Sequence, residues 1–242
     1  MSSPEKRVLA IIASHEPAQR TRLSLESQSL PPARIVVADK IFHDRHVGIR
    51  VSKAINTALD GLDMTEFDWF LRVDGDTLLP PDWIESAAAL GADVVGTGGV
   101  LLVRMSAFKA VGYRFPVLEA EDSMLILKLM SLGFKRVPYT EPISLRGMMR
   151  GTDSSMLTFF RNGTWRWKMG YEPIHAVYIS VAASAHHRNL RFLFQIPGYF
   201  FAMLSRPKKW DRDLARFVFD RQLRTDREKI RRLLRRRVLL SR

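Results

Sequence analysis

Cysteine is absent from the 242 residues of the chain, which excludes disulfide bonds, thiolate metal sites and cysteine nucleophiles. Long apolar segments are also lacking. The C-terminal half has two stretches without Asp, Glu, Lys or Arg, 173–187 and 192–205, but a helix that spans a bilayer needs about 20 apolar residues. The first residues, Met1 to Arg7, are few and polar and lack the features of a secretory signal, so we expect the bulk of the protein to face the cytosol.

Acidic residues are scarce at the C-terminal end. Residues 206–242 contain 15 Lys and Arg against 5 Asp and Glu, a net charge of +10, whereas residues 1–205 have a net charge of +3. The excess positive charge thus belongs to a tail, and such a tail attracts polyanions such as acidic lipids or nucleic acids. Because no nucleic-acid fold motif accompanies the charge, specific nucleic-acid binding is not expected.

The apolar runs that are present predict an α/β domain. Val8 to Ala13 and Arg34 to Asp39 are typical of buried parallel strands, and 18–30 is predicted as a crossover helix between them. Later segments continue the alternation, with helices at about 47–62 and 80–90 and strands at 69–73, 93–96 and 100–103. This pattern predicts a mostly parallel sheet flanked by helices, with ligands at the carboxyl ends of the strands.

The tripeptide Asp74-Gly75-Asp76 follows the strand that ends at Val73. Two carboxylates around one glycine can hold Mg²⁺ or Mn²⁺, which prefer oxygen ligands and are often shared with substrate phosphates. The natural further ligand is a diphosphate, which indicates a nucleotide-linked substrate. A plain polar turn is the alternative interpretation, since Asp and Gly are common turn residues.

Several sequence features occur in order between Val8 and Gly170. They are the strand at 8–13, the strand that ends in Asp39, the helical segment from Gly48 to Asn56, the stretch 71–85 around Asp74-Gly75-Asp76, the segments 98–104 and 111–113, and Glu121-Asp122 with the helix that follows to Phe134. In this order they resemble the nucleotide-sugar glycosyltransferases of family 2. The resemblance implies the Rossmann-like GT-A fold and the transfer of a sugar from a nucleotide-sugar donor.

The resemblance also implies roles for individual residues. Asp39 would contact the base or ribose of the nucleotide, and Asn56 would line the same pocket. Asp76 would bind the metal directly, while Asp74 would contact the ribose or reach the metal through water. Bound Mn²⁺ or Mg²⁺ would neutralise the diphosphate leaving group. Capping or a turn for Asp39, and a surface position for Asn56, are the structural alternatives.

Asp122 matches the catalytic base of the family, with Glu121 as its support. In an inverting transfer a carboxylate takes the proton of the acceptor hydroxyl as the new bond forms. Both acids also stand at the start of a predicted helix, where capping is the alternative.

Processive synthases of the family have a Gln three residues before an Arg-Trp pair. This chain has Arg166-Trp167, but Gly163 stands at the position of the Gln, so we expect the transfer of one sugar per visit.

Two further segments of the first 172 residues concern donor binding: a turn that differs from the family pattern, and a basic segment rich in glycine. After Asp39 the usual turn is replaced by Lys40 to His46, which leaves the base of the donor, a UDP- or GDP-sugar, open. The segment 144–155 is glycine-punctuated and basic. We interpret it as a lid whose Arg146 or Arg150 grips the diphosphate, because guanidinium groups suit phosphate oxygens. An ordinary solvated loop is the alternative.

The composition predicts three parts: a GT-A domain at 1–172, apolar interfacial helices at 173–205 and a basic amphipathic helical tail at 206–242. Residues 164–173 mix aromatic and basic side chains, as membrane interfaces do. The apolar runs favour helices that lie in the interface, and a hairpin packed on the domain or across a dimer is the alternative. The tail would attract anionic lipid, unless it is a solvated or oligomerising helix.

These features predict a metal-dependent, inverting hexosyltransferase that acts as a peripheral or monotopic protein at the cytosolic face of a membrane. The acceptor would be lipid-linked, and polyprenyl phosphate is attractive because a phosphate is already ionised at neutral pH. Two alternatives stay open. One is a soluble glycosyltransferase that acts on a protein or glycan and uses its C-terminal helices for a homo-oligomer. The other is a noncatalytic scaffold that binds nucleotides or polyanions.

Overall fold

The computed structural model describes residues 6–14, 18–97, 99–139, 143–144 and 155–225. The chain forms two compact units, Met1–Met149 and Arg150–Arg242. Residues 155–172, which the sequence analysis groups with the first domain, thus belong to the second unit, and the sequence-based boundaries at 172 and 205 stay predictions. Arg146 and Arg150, and the tail residues 226–242, lie outside the described residues.

The first unit is built on a mixed sheet. The described strands are β1 (Val8–Ala13), β2 (Arg34–Ala38), β3 (Trp69–Asp74), β4 (Thr77–Leu78), β5 (Val94–Thr97), β6 (Val100–Arg104), β7 (Arg136–Val137) and β8 (Ile143–Ser144). The large sheet has the order β2-β1-β3-β6-β5-β7, and β4 pairs with β8 separately. Strands β2, β1 and β3 are parallel, as are β5 and β7, whereas β6 runs opposite to both of its neighbours. The prediction of a mostly parallel α/β sheet is confirmed.

Helices cover both faces of this sheet. They are α1 (Gln19–Glu26), α2 (Val47–Leu59), α3 (Trp83–Ala89), α4 (Met105–Ala110) and α5 (Glu121–Ser131). Successive side chains of a strand point to opposite faces. Leu9 and Ile11 of β1 therefore join the core under α2, α4 and α5, while Ala10 and Ile12 join the core under α1 and α3. Strands β1 and β3 have nearly continuous apolar sequences because both of their faces are buried.

Helix α2 shows how sequence spacing orients an element beside the site. Its buried residues include Gly48, Ser52, Ile55 and Leu59, at intervals of four, three and four. This spacing forms one stripe of a helix with 3.6 residues per turn, and the stripe faces the sheet. Gly48, in the first turn, has no room for a side chain, because a Cβ there would collide with the backbone of Glu119 and the carboxylate of Glu121.

The second unit is helical in its described part. It contains α6 (Met156–Met169), α7 (Pro173–His186), a 3₁₀ turn at Leu190–Phe194, α8 (Gln195–Ser205) and a further helical stretch at 212–225. Helix α6 starts at Ser155, which accepts a hydrogen bond from Thr158 N, and ends at Gly170, whose φ of 90° needs glycine. Every described helix falls short of the length and apolar character that a bilayer crossing requires.

Helices α6 and α8 approach each other through glycine. A Cβ on Gly163 would collide with the backbone of Gln195 and Tyr199, and one on Gly198 would collide with the backbone of Phe160. The two helices therefore pack backbone to backbone. Arg166 connects α6 to α7 by donating a hydrogen bond to Ser180 Oγ at 2.7 Å, and burial lowers the pKa of this guanidinium to about 10.

Candidate functional site

The carboxyl ends of three parallel strands meet at one edge of the sheet. In the register of β2, β1 and β3, Ala38 lies beside Ala13, and Ala13 lies beside Asp74. Neighbouring strands are about 4.8 Å apart, so this row spans roughly 10 Å. Asp39 is the next residue after Ala38 and is exposed. The edge thus brings Asp39 and the Asp74-Gly75-Asp76 corner to the side of the sheet where α/β proteins bind ligands.

The Asp74-Gly75-Asp76 corner is fixed by hydrogen bonds on both sides of its glycine. Gly75 N donates to Ala13 O at 3.0 Å, and Thr21 Oγ1 donates to Gly75 O at 2.8 Å. A Cβ at this position would collide with the side chain of Ser14, so only glycine fits. An ordinary surface turn does not need such a close approach of a second strand end. The corner is a rigid platform that projects one carboxylate from each side of the glycine.

Arg72 was not identified from the sequence, although a charged residue within the apolar run of β3 was a visible signal. Its guanidinium is buried, with the side chain 5% exposed. Nη2 donates to Asp74 Oδ1 at 2.7 Å and lies 3.6 Å from Glu121 Oε1. Among the described residues, Nε and Nη1 of Arg72 have no hydrogen-bond partner. Arg72 therefore connects the corner after β3 to the start of α5.

Glu121 is a buried carboxyl group whose protonation is shifted. Burial raises the pKa of Glu121 to about 7, the negative charge of Asp122 raises it further, and Arg72 acts in the opposite direction. The group can thus change charge near neutral pH. Its position against Gly48, at the start of α2, places it between the first turns of two helices.

Asp122 lies in the first turn of α5 and is half-buried. Its Oδ1 accepts a hydrogen bond from Ser123 N at 2.5 Å, whereas the residue that precedes the helix, Ala120, makes no side-chain cap. Asp122 is joined to the corner through its neighbour Glu121 and Arg72. The residue that the sequence analysis assigns as base therefore stands beside the network that holds Asp74.

A cavity of about 140 Å³ adjoins this edge. It lies between the ends of β1 and β2 and the first turns of α2, and is lined by Ala13, Ser14, Ala38, Lys40, Ile41, Phe42, Val47, Arg50, Val51 and Ala54. Lys40 Nζ and Lys53 Nζ lie 5.5 Å and 5.8 Å from the centre of the Phe42 ring. An apolar slot with an aromatic wall and basic rim suits a flat heterocycle attached to an anion.

The amide of Asn56 is engaged elsewhere in the first unit. Asn56 Nδ2 donates to Phe115 O at 2.9 Å, and Phe115 N donates to Asn56 Oδ1 at 2.8 Å. This reciprocal pair fixes the segment before α5 against α2. The pairing gives Asn56 a structural role, and Asn56 does not line the described cavity; its contact with a nucleotide stays a prediction. The predicted grip of Arg146 and Arg150 on a diphosphate falls on residues outside those described.

The donor set of the corner fits a hard divalent cation when a substrate supplies the remaining ligands. The part of the chain that the structure describes contains no group of three or more His, Asp or Glu side chains arranged for a metal. Mg²⁺ and Mn²⁺ are commonly held by one or two carboxylates together with substrate phosphates. Asp76 and Asp74 supply two carboxylates, which is the number that such a shared site needs.

Comparisons with known proteins find similarity in structure only. No family model and no curated protein matches the chain. A mannosyltransferase from Pyrobaculum calidifontis, solved with GDP-Man and Mn²⁺, is 13% identical over 88% of this chain and 78% of that chain, with a TM-score of 0.48. S. aureus TarS is 16% identical over 57% of this chain and 36% of that chain, with a TM-score of 0.44. The glycosyltransferase GlyE of Streptococcus pneumoniae TIGR4 is 13% identical over 55% and 45%, with a TM-score of 0.36.

The chain thus spans about a third of the TarS structure. Identities and TM-scores as low as these assign no activity to it. The side chains that the fold brings to the edge of the sheet must therefore indicate the function.

Proposed function

We propose that the chain is a metal-dependent, inverting glycosyltransferase with the GT-A fold, similar to family 2. It transfers a single hexose from a nucleotide-sugar to a lipid-linked acceptor at the cytosolic face of a membrane. One observation carries the proposal. The Asp74-Gly75-Asp76 corner, Asp39 and the apolar cavity adjoin one sheet edge, and Arg72 links that corner to Glu121 and Asp122.

The donor is held by the edge and the cavity. The slot beside Phe42 receives the base, and Asp39 accepts hydrogen bonds from the ribose or the base. Asp76, with Asp74, would hold Mn²⁺ or Mg²⁺, and the diphosphate of the donor would supply further oxygen ligands. When bound, this cation stabilises the negative charge that develops on the leaving diphosphate.

The acceptor is activated from α5. Asp122 takes the proton of an acceptor hydroxyl as the new glycosidic bond forms, and the nucleoside diphosphate departs from the opposite side of the sugar carbon. Glu121 and Arg72 hold Asp122 and Asp74 in position. If the acceptor is a polyprenyl phosphate, its oxygen is already ionised at neutral pH and Asp122 has little proton transfer to perform.

Donor binding is tested by a thermal-shift panel of UDP-, GDP- and dTDP-sugars, each with Mn²⁺, with Mg²⁺ and with EDTA. GDP-mannose belongs in the panel because the Pyrobaculum calidifontis mannosyltransferase was solved with it. A ligand that binds only the native state stabilises it by about 2.7 kcal/mol at one hundred times its dissociation constant, which raises the Tm by several degrees.

We expect a metal-dependent shift with one donor class. Asp76→Ala should abolish the metal dependence, whereas Asp82→Ala, an exposed carboxylate before α3, should retain it. Absence of a shift with every donor, in the presence and absence of acceptor lipid, would favour a noncatalytic scaffold. Transfer of label from the identified donor to polyprenyl phosphate, compared with glycan and protein acceptors, then identifies the acceptor class.

A further inference from the structure

The second unit contains an open cavity of about 620 Å³ at the end of α8. It is lined by Trp167, Met203, Leu204, Arg206, Pro207, Lys208, Lys209 and Arg212. Half of these side chains are basic and the others are apolar or aromatic. All of them belong to the second unit. The sequence predicted apolar interfacial helices up to residue 205 and a basic tail that attracts anionic lipid, but it did not predict a cavity where these segments meet.

The exposed basic side chains of this cavity have no acidic partner among the described residues. Arg206, Lys208 and Arg212 are exposed and form no ion pair with a carboxylate in the described part of the chain. Asp211, which lies between them in sequence, accepts a hydrogen bond from Leu214 N at 2.9 Å and so caps the helix that begins at 212. Asp213 is exposed. Residues 206–213 thus carry four basic and two acidic side chains, a local excess of positive charge.

Lys209 forms the inner part of the cluster. Its Nζ lies 3.3 Å from the centre of the Trp167 ring and donates a hydrogen bond to Trp167 O. Burial lowers the pKa of Lys209 to about 8. A partly desolvated ammonium group that is satisfied by a ring and a carbonyl, rather than by a carboxylate, favours the approach of an anion.

Arg206 adopts a backbone conformation that suits glycine better. It ends α8 with φ 47° and ψ 47°, in the left-handed region. Glycine is the usual residue at such a helix end, and a side chain there costs roughly 1 kcal/mol. Arg206 lines the cavity in spite of this strain. A glycine would make a better helix end but would bring no guanidinium to a ligand.

Helix α8 contains no charged residue, and its exposed side is apolar. Gln195, Gly198, Tyr199 and Ala202 form its buried face. The other side carries Phe201, which is 58% exposed, and Leu204, which is 78% exposed and lines the cavity. A helix without charges that exposes aromatic and aliphatic side chains next to a basic cluster is typical of segments that lie at a membrane surface.

We propose that this cavity binds the phosphate group of an anionic lipid, with Arg206, Lys208 and Arg212 around the phosphate and with Phe201 and Leu204 in the lipid interface. Charge complementarity favours lipid over this chain's own tail as the occupant. Residues 226–242 carry eight basic and two acidic side chains, so the cluster repels them. The inference rests on the proposed action at a membrane face and names the surface through which the protein binds that membrane.

The test is cosedimentation of the full chain with vesicles at physiological ionic strength. Neutral phosphatidylcholine vesicles are compared with vesicles that also contain phosphatidic acid or phosphatidylglycerol. Because a basic residue near an anionic surface contributes roughly 1 kcal/mol, the variant Arg206→Gly/Lys208→Gln/Arg212→Gln should bind the anionic vesicles about 100-fold more weakly. Its Tm should not fall, because Arg206→Gly removes backbone strain.

The matched control removes the same charge from the first unit. Lys6, Arg34 and Lys109 are exposed side chains away from the carboxyl-end edge of the sheet, and Lys6→Gln/Arg34→Gln/Lys109→Gln lowers the net charge of the chain equally. We expect this variant to bind anionic vesicles nearly as the parent chain does. If both variants bound anionic vesicles equally weakly, the inference would be overturned, because the net charge of the chain alone would then explain the loss of binding.

The apolar contribution is measured at high salt, where exposed charges are screened. Phe201→Ser/Leu204→Ser should lose the residual binding that salt does not remove, and Leu23→Ser/Leu132→Ser, which alters comparably exposed leucines of the first unit, should keep it. Inorganic phosphate is titrated separately by thermal shift. Protection by phosphate, together with unchanged vesicle binding in the Phe201 and Leu204 variant, would overturn the lipid assignment in favour of a site for soluble phosphate.

The donor-induced thermal shift is recorded on the same preparations. If the cavity variant binds vesicles like its control while the donor shift persists, only the lipid site is wrong. If selective vesicle binding is observed but no donor shifts the Tm, the proposed sugar transfer fails and the lipid site stands.

Discussion

The two units of the chain both set charged side chains beside apolar surface, but they compensate the charges differently. In the first unit, Arg72 lies between the carboxylates of Asp74 and Glu121, and the acids outnumber the base. In the second unit, Arg206, Lys208 and Arg212 line a cavity without an acidic partner among the described residues. The first arrangement attracts a cation or a proton, and the second attracts an anion. The net charge of the whole chain, +13, therefore does not predict which ligand either site attracts.

The largest expected effect is on sugar transfer, and it separates the carboxylates of the first unit from each other. Asp76→Ala should abolish transfer together with the metal-dependent donor shift. Asp122→Asn should keep donor binding but lower turnover by about 10² to 10⁴-fold with a hydroxyl acceptor, which is the usual contribution of a general base. Initial rates with saturating donor measure both. Nearly full turnover of Asp122→Asn is expected only if the acceptor is a phosphate, whose oxygen is already ionised. Nearly full turnover with a hydroxyl acceptor, or loss of the donor shift, would refute the role of Asp122 as base.

The next largest expected effect is on the free energy of unfolding, when the cation between the two acids is removed. Arg72→Met leaves Asp74 and Glu121 without their shared partner, and the loss of one member of a buried ion pair typically destabilises by about 3–5 kcal/mol. Urea unfolding measures this change. Arg7→Met is the matched control, because its contact with Glu66 is exposed and should contribute below about 1 kcal/mol. Equal effects of the two substitutions would show that Arg72 is not a buried link.

The glycine contact between α6 and α8 allows the second unit to be disturbed without a change in the first unit. Gly163→Ala introduces a methyl group where the backbone of Gln195 allows none, and overpacking of this kind costs about 1–3 kcal/mol. We expect weaker anionic-vesicle binding with an unchanged donor-induced shift, because every described residue assigned to the donor lies in the first unit. Loss of the donor shift in this variant would show that the two activities are not separate.

A smaller effect concerns pH. The carboxyl of Glu121 titrates near 7 in the folded protein and near 4.5 in the unfolded chain. Between these values the folded state holds the extra proton, so stability falls as pH rises from about 4.5 to about 7, with a slope of at most about 1.4 kcal/mol per pH unit. Glu121→Gln should flatten this part of the profile when unfolding is followed by urea without metal or donor. An unchanged slope would mean that another group titrates there.

The apolar runs of the sequence predicted the parallel part of the sheet correctly, because β1 and β3 are buried on both faces and β2, at the edge, is half-buried. Asp39 follows β2, and Asp74 ends β3. The reversed direction of β6 was not predicted. A signal existed, since β5 and β6 are separated only by Gly98-Gly99, and a two-residue connection requires antiparallel strands.

The missed parts of the site depend on contacts between distant segments. Arg72 is recognisable as a link only when Glu121, 49 residues further along, is known to lie against it. The side chain of Asn56 is likewise held by hydrogen bonds to the backbone of Phe115, which is distant in sequence. The basic cavity forms where Trp167 contacts the segment that follows α8. Periodicity and local motifs describe neighbours in sequence, so they cannot reveal these pairs.

The tight corner at Gly75 also restricts how the first unit can change. Ser14 and Gly75 occupy one small space, so a side chain can be gained at one position only if it is lost at the other. The two positions should therefore behave as a coupled pair in directed evolution: a Gly75→Ala chain that has lost donor binding would regain it through Ser14→Gly rather than through a change within the Asp74-Gly75-Asp76 corner itself.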